Sequence, residues 1–254
     1  MSIDWKNTRA AVWRPRKTSL RAVQRFDGVQ LKDLLGVDRQ KDELVRNTEQ
    51  FLRGEPARNA LLWGSRGTGK SSLVKALLNE YADAGLRVIE IDKDDLADLQ
   101  DIVDDISNLP QRFIIFCDDL SFEADETLYK HLKSVLEGSI ELPPENVLIY
   151  ATSNRRHLVA EQKADNQGVD IVDGELHYGD TVEEKLSLAD RFGLWLSFYP
   201  NTTNMYLDIV DYLFSDFDGD RKKLHRAARQ FAMTRASKSG RTARQFRAHW
   251  QGRN

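Results

Sequence analysis

Gly64-Ser65-Arg66-Gly67-Thr68-Gly69-Lys70-Ser71 satisfies every fixed position of the pattern G-x-x-x-x-G-K-[ST]. Before it, Asn59-Ala60-Leu61-Leu62-Trp63 reads as a short buried strand. After it, Ser71 to Ala84 sets Leu73, Val74, Leu77, Leu78 and Tyr81 at helical spacing. Strand, glycine-rich turn and helix form the setting in which a P-loop holds a polyphosphate. The glycines let backbone N–H groups turn inward, and the helix start adds the positive end of its dipole. In that role Lys70 reaches the β- and γ-phosphates and Ser71 holds Mg²⁺. Gly64, Ser65, Arg66, Gly67, Thr68, Gly69 and Ser72 complete the expected wall around the nucleotide.

The 254 residues can bury a full core, and 41% hydrophobic with 30% charged residues is ordinary for a soluble globular chain. No apolar run approaches the roughly 20 residues that span a bilayer, and the N-terminus lacks a secretory h-region, so no membrane partner is expected. Cys117 is the single cysteine, which excludes internal disulfides and fits a reducing, cytoplasmic setting. It lies at the end of an apolar run and reads as a small buried hydrophobe.

A net charge of −3 hides an asymmetry along the chain. From Trp5 to Phe26 there are Lys6, Arg9, Arg14, Arg16, Lys17, Arg21 and Arg25 with no acid, and from Arg221 to the end eleven Lys and Arg face no Asp or Glu. Asp92 to Asp105 carries seven Asp against Lys93 alone. Basic ends and an acidic middle suggest nucleic-acid contact or charge-matched neighbours.

Residues 1–35 read as a basic extension without clean periodicity. Asp38, a plausible N-cap, then opens a helix to Leu52. Arg87 to Ile91 reads as a strand, and Asp94 to Asn108 as an amphipathic helix with Leu96, Leu99, Ile102, Val103 and Ile106 on one face. Arg112-Phe113-Ile114-Ile115-Phe116-Cys117-Asp118-Asp119 is an apolar run ending in two carboxylates, the form of a parallel strand buried on both faces. Ligands bind at the C-terminal edge of such sheets, so Asp118 is expected in the Mg²⁺ shell and Asp119 at the attacking water. The alternative is an Asp-Asp turn capping a helix over Asp125 to Glu137. Asn146 to Thr152 is a further strand, and Asn154 at its tip could bond a γ-phosphate or its water. Residues 160–180 read as a long loop with weak β character at Val169 to Val172. From Asn201 onward three helices are expected, about Thr203 to Phe214, Asp220 to Thr234 and Thr242 to Gln251, with Asp220 as an N-cap.

P-loop, acidic strand end, polar strand tip and helical C-terminal segment follow in the order seen in AAA+ ATPases, which the chain resembles over about residues 34–254. Through Phe116-Cys117-Asp118-Asp119-Leu120-Ser121-Phe122-Glu123, Tyr150-Ala151-Thr152-Ser153-Asn154-Arg155-Arg156-His157-Leu158, Asp190-Arg191-Phe192-Gly193-Leu194-Trp195-Leu196-Ser197-Phe198 and Ser239-Gly240-Arg241-Thr242-Ala243-Arg244-Gln245-Phe246, it resembles the small bacterial AAA+ proteins filed only under a domain of unknown function. The resemblance implies an α/β fold: a three-layer αβα P-loop NTPase core with a parallel sheet over 36–200 and a helical lid over 201–254. It also implies ATP and Mg²⁺ as cofactors. By resemblance Asn154 matches sensor 1, Arg191 the arginine finger offered to a neighbouring subunit, and Arg244 the sensor 2 arginine, with Arg241 competing. Leu35-Gly36-Val37 would border the adenine. AAA+ proteins usually place Glu where this chain has Asp119, whose shorter arm must approach its water more closely; Glu123 could substitute.

These features point to an ATP-hydrolysing protein, homo-oligomeric in ATP, that remodels or loads a macromolecular partner. Nucleic acid or protein would be engaged through the basic lid and N-terminal extension. A nucleotide-gated nucleic-acid-binding module with little hydrolysis is the second reading. A small-molecule kinase would need an acceptor pocket, and a GTPase would need an Asn-Lys-x-Asp guanine reader, which this chain lacks.

Overall fold

The P-loop strand, β3 (Ala60–Gly64), lies between two strands remote from it in sequence, β6 (Val147–Ser153) and β9 (Leu194–Phe198), and is parallel to both. The computed structural model describes residues 3–121, 132, 135–136, 142–154, 170–172, 175–177 and 191–251. Beyond β6 come β5 (Arg112–Cys117) and β4 (Leu86–Ile91), then β1 (Ala10–Arg14) and β2 (Ser19–Ala22). The seven-stranded order is β2-β1-β4-β5-β6-β3-β9, parallel except for the β1–β2 pair. Short strands β7 (Asp170–Val172) and β8 (Glu175–His177) pair antiparallel within the stretch expected to be a loop.

Alternate side chains of the central strands enter different cores, as a parallel strand buried on both faces requires. Leu61, Ile89, Phe113, Ile115 and Cys117 pack with Leu99, Ile102, Val103 and Ile106 of α3 (Leu99–Ile106). On the other face Ala60, Leu62, Ile114, Phe116 and Tyr150 meet Leu44 and Phe51 of α1 (Asp38–Leu52) and Leu73, Val74 and Leu77 of α2 (Lys70–Tyr81). Helix, sheet and helix make three layers. Cys117 is buried in this packing, which pushes its thiol pKa up and leaves it chemically inert.

Residues 1–35 are not merely an extension: β1 adds in parallel to β4, and β2 closes that edge. Arg87 donates Nε to Trp5 O at 2.8 Å and Nη2 to Lys6 O at 3.3 Å, fixing the segment before β1. The apolar run Ala10-Ala11-Val12-Trp13 is too short to stand out among cations, and its pairing partner lies more than 70 residues away. Two local expectations also change. Asp38 is the first residue of α1 rather than its cap, a position held by Val37. The helix expected over Asp94 to Asn108 is divided into a 3₁₀ segment, Lys93–Asp98, and α3. Asp92 caps that 3₁₀ segment and Trp13 Nε1 donates to Asp98 Oδ2 at 2.8 Å, so β1 helps to hold it. The expected helix Asp125 to Glu137 lies largely outside the described residues, as do Glu123 and the 155–158 part of the quoted string.

The C-terminal helices α4 (Thr203–Leu213), α5 (Arg221–Thr234) and α6 (Gly240–Gln251) match the expected positions within two residues at each end. Their apolar faces form a core of their own around Tyr206, Val210, Phe214, Leu224, Ala228 and Phe246. Asp220 caps α5, accepting from Lys222 N at 2.8 Å.

Candidate nucleotide site

Parallel register brings three sequence segments to one edge of the sheet. Leu62 pairs with Thr152 and Trp63 with Ser153, while Cys117 pairs with Ala151. The P-loop, Thr152 to Asn154 and Asp118-Asp119 therefore leave their strands at the same height, with the β6 tip between the other two. Two glycines are fixed by close approach. At Gly64, with φ of 126°, an added Cβ would stand 2.0 Å from Phe198 O, the carbonyl that also accepts from Ser65 N. At Gly67, with φ of 75°, it would strike Ser239 Cβ and Oγ at 2.7 Å, so the loop packs directly on the start of the lid's last helix.

Lys70 is 6% exposed, and its ammonium donates to Gly64 O and Ser65 O at 2.8 Å each and to Asn154 Oδ1 at 3.1 Å. Burial lowers its pKa to about 8, against the opposing pull of Asp118 and Asp119. Such a cation, held by neutral acceptors, is suited to an anion that restores the charge balance.

Ser71 Oγ donates to Asp118 Oδ1 at 2.6 Å, and Thr152 Oγ1 donates to the same oxygen. Thr152 also accepts from Asp119 N at 2.9 Å, and its carbonyl accepts from Leu120 N at 2.6 Å. The Asp118-Asp119 turn is thus built on Thr152. Asp119 adopts a left-handed φ of 55°, tolerable for Asp, and its Oδ1 accepts from Asn154 Nδ2. Asn154 bridges Lys70 and Asp119. Among the described residues no group of three or more His, Cys, Asp or Glu could hold a metal. The Ser71 hydroxyl and Asp118 carboxylate fit instead a hard cation that completes its shell with phosphate oxygens and water.

Next to the loop lies a pocket of about 340 Å³, lined by Leu35, Val37, Gly67, Thr68, Gly69 and Arg244, with apolar walls from Val29, Leu34 and Ile209. Gly36 sits behind the wall; a Cβ there would meet Met205 Sδ of α4 at 2.5 Å. Arg244 reaches the pocket, whereas Arg241 lies beside Gly67, where an added Cβ would be 3.8 Å from Arg241 Cβ. Arg66 and Arg244 are exposed; Ser65, Ser71 and Ser72 are half-buried.

Arg191 is not part of this cluster. Leu194 pairs with Ala60 at the start of β3, so Arg191 lies beyond the opposite edge of the sheet. At about 3.3 Å per residue, β3 alone separates it from its own P-loop by about 13 Å, beyond the reach of an arginine.

Thr152 is a site residue that sequence reading passed over. Its signal was available: it is the first aliphatic hydroxyl in a largely apolar strand, two residues before Asn154. The contact of Tyr212 OH with Asp33 Oδ1, joining the lid to the pocket wall, had no comparable signal.

A P-loop between parallel strands, a carboxylate pair on the strand beyond and a helical segment over the adjoining pocket define a P-loop NTPase fold of the AAA+ class. The chain belongs to the family described as "Protein of unknown function (DUF815)", whose model matches residues 6–254. It is 38% identical over 73 residues to the replication factor C large subunit of Staphylothermus marinus, and 37% identical over 75 residues to that of Sulfolobus acidocaldarius. These matches cover 28% and 29% of this chain and 16% of each relative, so the chain spans about a sixth of the length of the curated relatives it matches. Among solved structures it is similar to the RuvB Holliday junction branch migration motor of Thermotoga maritima, with 15% identity, a TM-score of 0.47, and coverage of 86% of this chain and 70% of that one.

Proposed function

We propose that the chain binds and hydrolyses ATP with Mg²⁺ and works as an oligomer on a macromolecular partner. The observation that carries this reading is the convergence of Lys70, Ser71, Asp118, Asp119 and Asn154 at one sheet edge in a single hydrogen-bonded network. Lys70 exchanges its carbonyl partners for the β- and γ-phosphates, while Ser71 and Asp118 hold the cation that neutralises them. Asp119 orients and activates the water, and Asn154, already bonded to both Lys70 and Asp119, positions it against the γ-phosphate. Leu35, Val37 and the apolar pocket take the base, and Arg244 faces the phosphates from the lid.

The remoteness of Arg191 from its own P-loop supports a role in trans. The exposed carboxylates of Asp94, Asp101, Asp104 and Asp105 and the basic lid lie on separate elements, which favours head-to-tail association. Partial similarity to proteins named replication factor C supports a partner in nucleic-acid metabolism. Isothermal titration with Mg·ATP tests the reading directly: wild type binds and releases phosphate, and Lys70→Ala loses at least about a hundredfold in affinity while keeping its circular dichroism. Equal affinity in the variant would remove the P-loop from the proposed site.

A further inference from the structure

We infer that the outer face of the lid, between α5 and α6, binds single-stranded nucleic acid by stacking bases in an aromatic groove rimmed with cations. The groove measures about 910 Å³ and is separate from the nucleotide pocket. Half-buried Phe217, Phe231 and Trp250 form its floor, and exposed Lys223, Arg235 and His249 stand at its rim. The Arg235 guanidinium lies 5.5 Å over the Phe231 ring, and the His249 ring is 5.4 Å from the same ring at a tilt of 38°. An aromatic cluster with a cation over one of its rings is therefore already assembled, Phe217 and Trp250 meeting edge to face at 86°. Asp220 is the one carboxylate among the described lining residues, and it is committed to the N-terminus of α5, where it accepts from Lys222 N and Lys223 N.

Charge and shape together select the occupant. The span from Arg221 to the C-terminus carries eleven Lys and Arg and no Asp or Glu; Arg221 and Arg247 pair with Asp211 and Asp216 before it, while Lys223 and Arg235 stand at the groove rim, so a polyanion is favoured. The acidic segment of a second copy supplies charge but nothing to fill an aromatic floor, because its apolar residues Leu96, Leu99, Ile102, Val103 and Ile106 are buried in their own core. A nucleic acid supplies phosphates and π-faces in one chain. Stacking on side chains needs bases freed from a duplex, which favours a single strand. Binding there requires neither ATP nor hydrolysis, so it can be measured without nucleotide and judged apart from the ATPase reading.

Fluorescence anisotropy of a labelled oligothymidylate, against a duplex of equal length at low salt, tests the groove. The strand should bind the full chain at least about tenfold more tightly than the duplex, with affinity falling steeply as salt rises. Combined Lys223→Glu and Arg235→Glu should weaken strand binding more than about tenfold, leave ATP affinity unchanged and flatten the salt dependence. Arg14→Glu with Arg16→Glu, in the other basic region, should leave strand binding unaltered. Since Trp250 also packs in the lid core, its part is read by fluorescence: the strand should quench wild-type emission, and Trp250→Phe of native circular dichroism should lose that quench. Full strand binding by the Lys223/Arg235 variant, equal affinity for the duplex, no quench, or displacement of the strand by polyglutamate as effective as by nucleic acid would each overturn the assignment.

Discussion

The Tyr212 hydroxyl donates to Asp33 Oδ1, fastening the lid's first helix to the wall of the pocket beside the P-loop across 179 residues of sequence. Asp33 Oδ2 accepts from Gln30 N at 2.7 Å, so both carboxylate oxygens are engaged. Lid position is thereby linked to a charged group that lines the proposed nucleoside site.

Tyr212→Phe should therefore loosen the lid and raise the Kd for ATP about three- to tenfold. A charge-assisted bond in so exposed a place contributes only modestly. The Tyr212 hydroxyl holds the Asp33 carboxyl below the usual carboxylate range. A depressed folded-state pKa gives stability that is present above the unfolded value, near 4, and is lost as pH falls through the folded value. Urea denaturation of wild type and Tyr212→Phe should hence differ at neutral pH and converge in acid. A constant difference down to the lowest pH would remove Asp33 as the partner.

Asp119→Asn should keep Mg·ATP affinity within about threefold and reduce hydrolysis by at least about a hundredfold, since the amide can hold a water but cannot accept its proton. Asp118→Asn should instead raise the Mg²⁺ concentration needed for tight ATP binding. Steady-state phosphate release and magnesium titration separate the two. Normal turnover by Asp119→Asn would move the base to another carboxylate.

Thr152→Val removes a hydroxyl that serves Asp118 and Asp119 together while nearly preserving volume. Two part-buried hydrogen bonds are lost, so thermal unfolding should show destabilisation of about 1 to 3 kcal/mol. kcat should fall at least about tenfold with little change in ATP affinity, because the carboxylate turn loses its support but the P-loop does not. Thr152→Ser restores the hydroxyl and should recover most of kcat. If serine fails to rescue, the methyl group and not the hydroxyl is what the site requires.

Arg191→Ala and Asp119→Asn, each inactive alone, should regain partial ATPase when mixed, because some interfaces then join an intact Asp119 site to an intact Arg191. A finger in trans typically contributes about 10³ to 10⁵ in kcat and little to ATP affinity. A mixture that stays inactive, while sedimentation shows the two variants co-assembled, would end the trans role of Arg191.

By itself the sequence determined the P-loop, the doubly buried strand Phe113 to Cys117 and the three C-terminal helices. Each rests on short-range patterning: glycine positions, alternation into two cores and helical periodicity read within a dozen residues. Asp118 and Asp119 were legible for the same reason, being the first polar residues after an apolar strand, and Asn154 by its place at the tip of another. Tertiary structure alone decided what those segments meet. That β1 completes the sheet beside β4, that Thr152 bonds both the Asp118 carboxylate and the Asp119 backbone N–H, that Gly67 abuts Ser239 and that Tyr212 bonds Asp33 all depend on contacts between segments tens to nearly two hundred residues apart. Such contacts leave no local periodicity, because strand order and lid placement arise from burying several amphipathic surfaces at once.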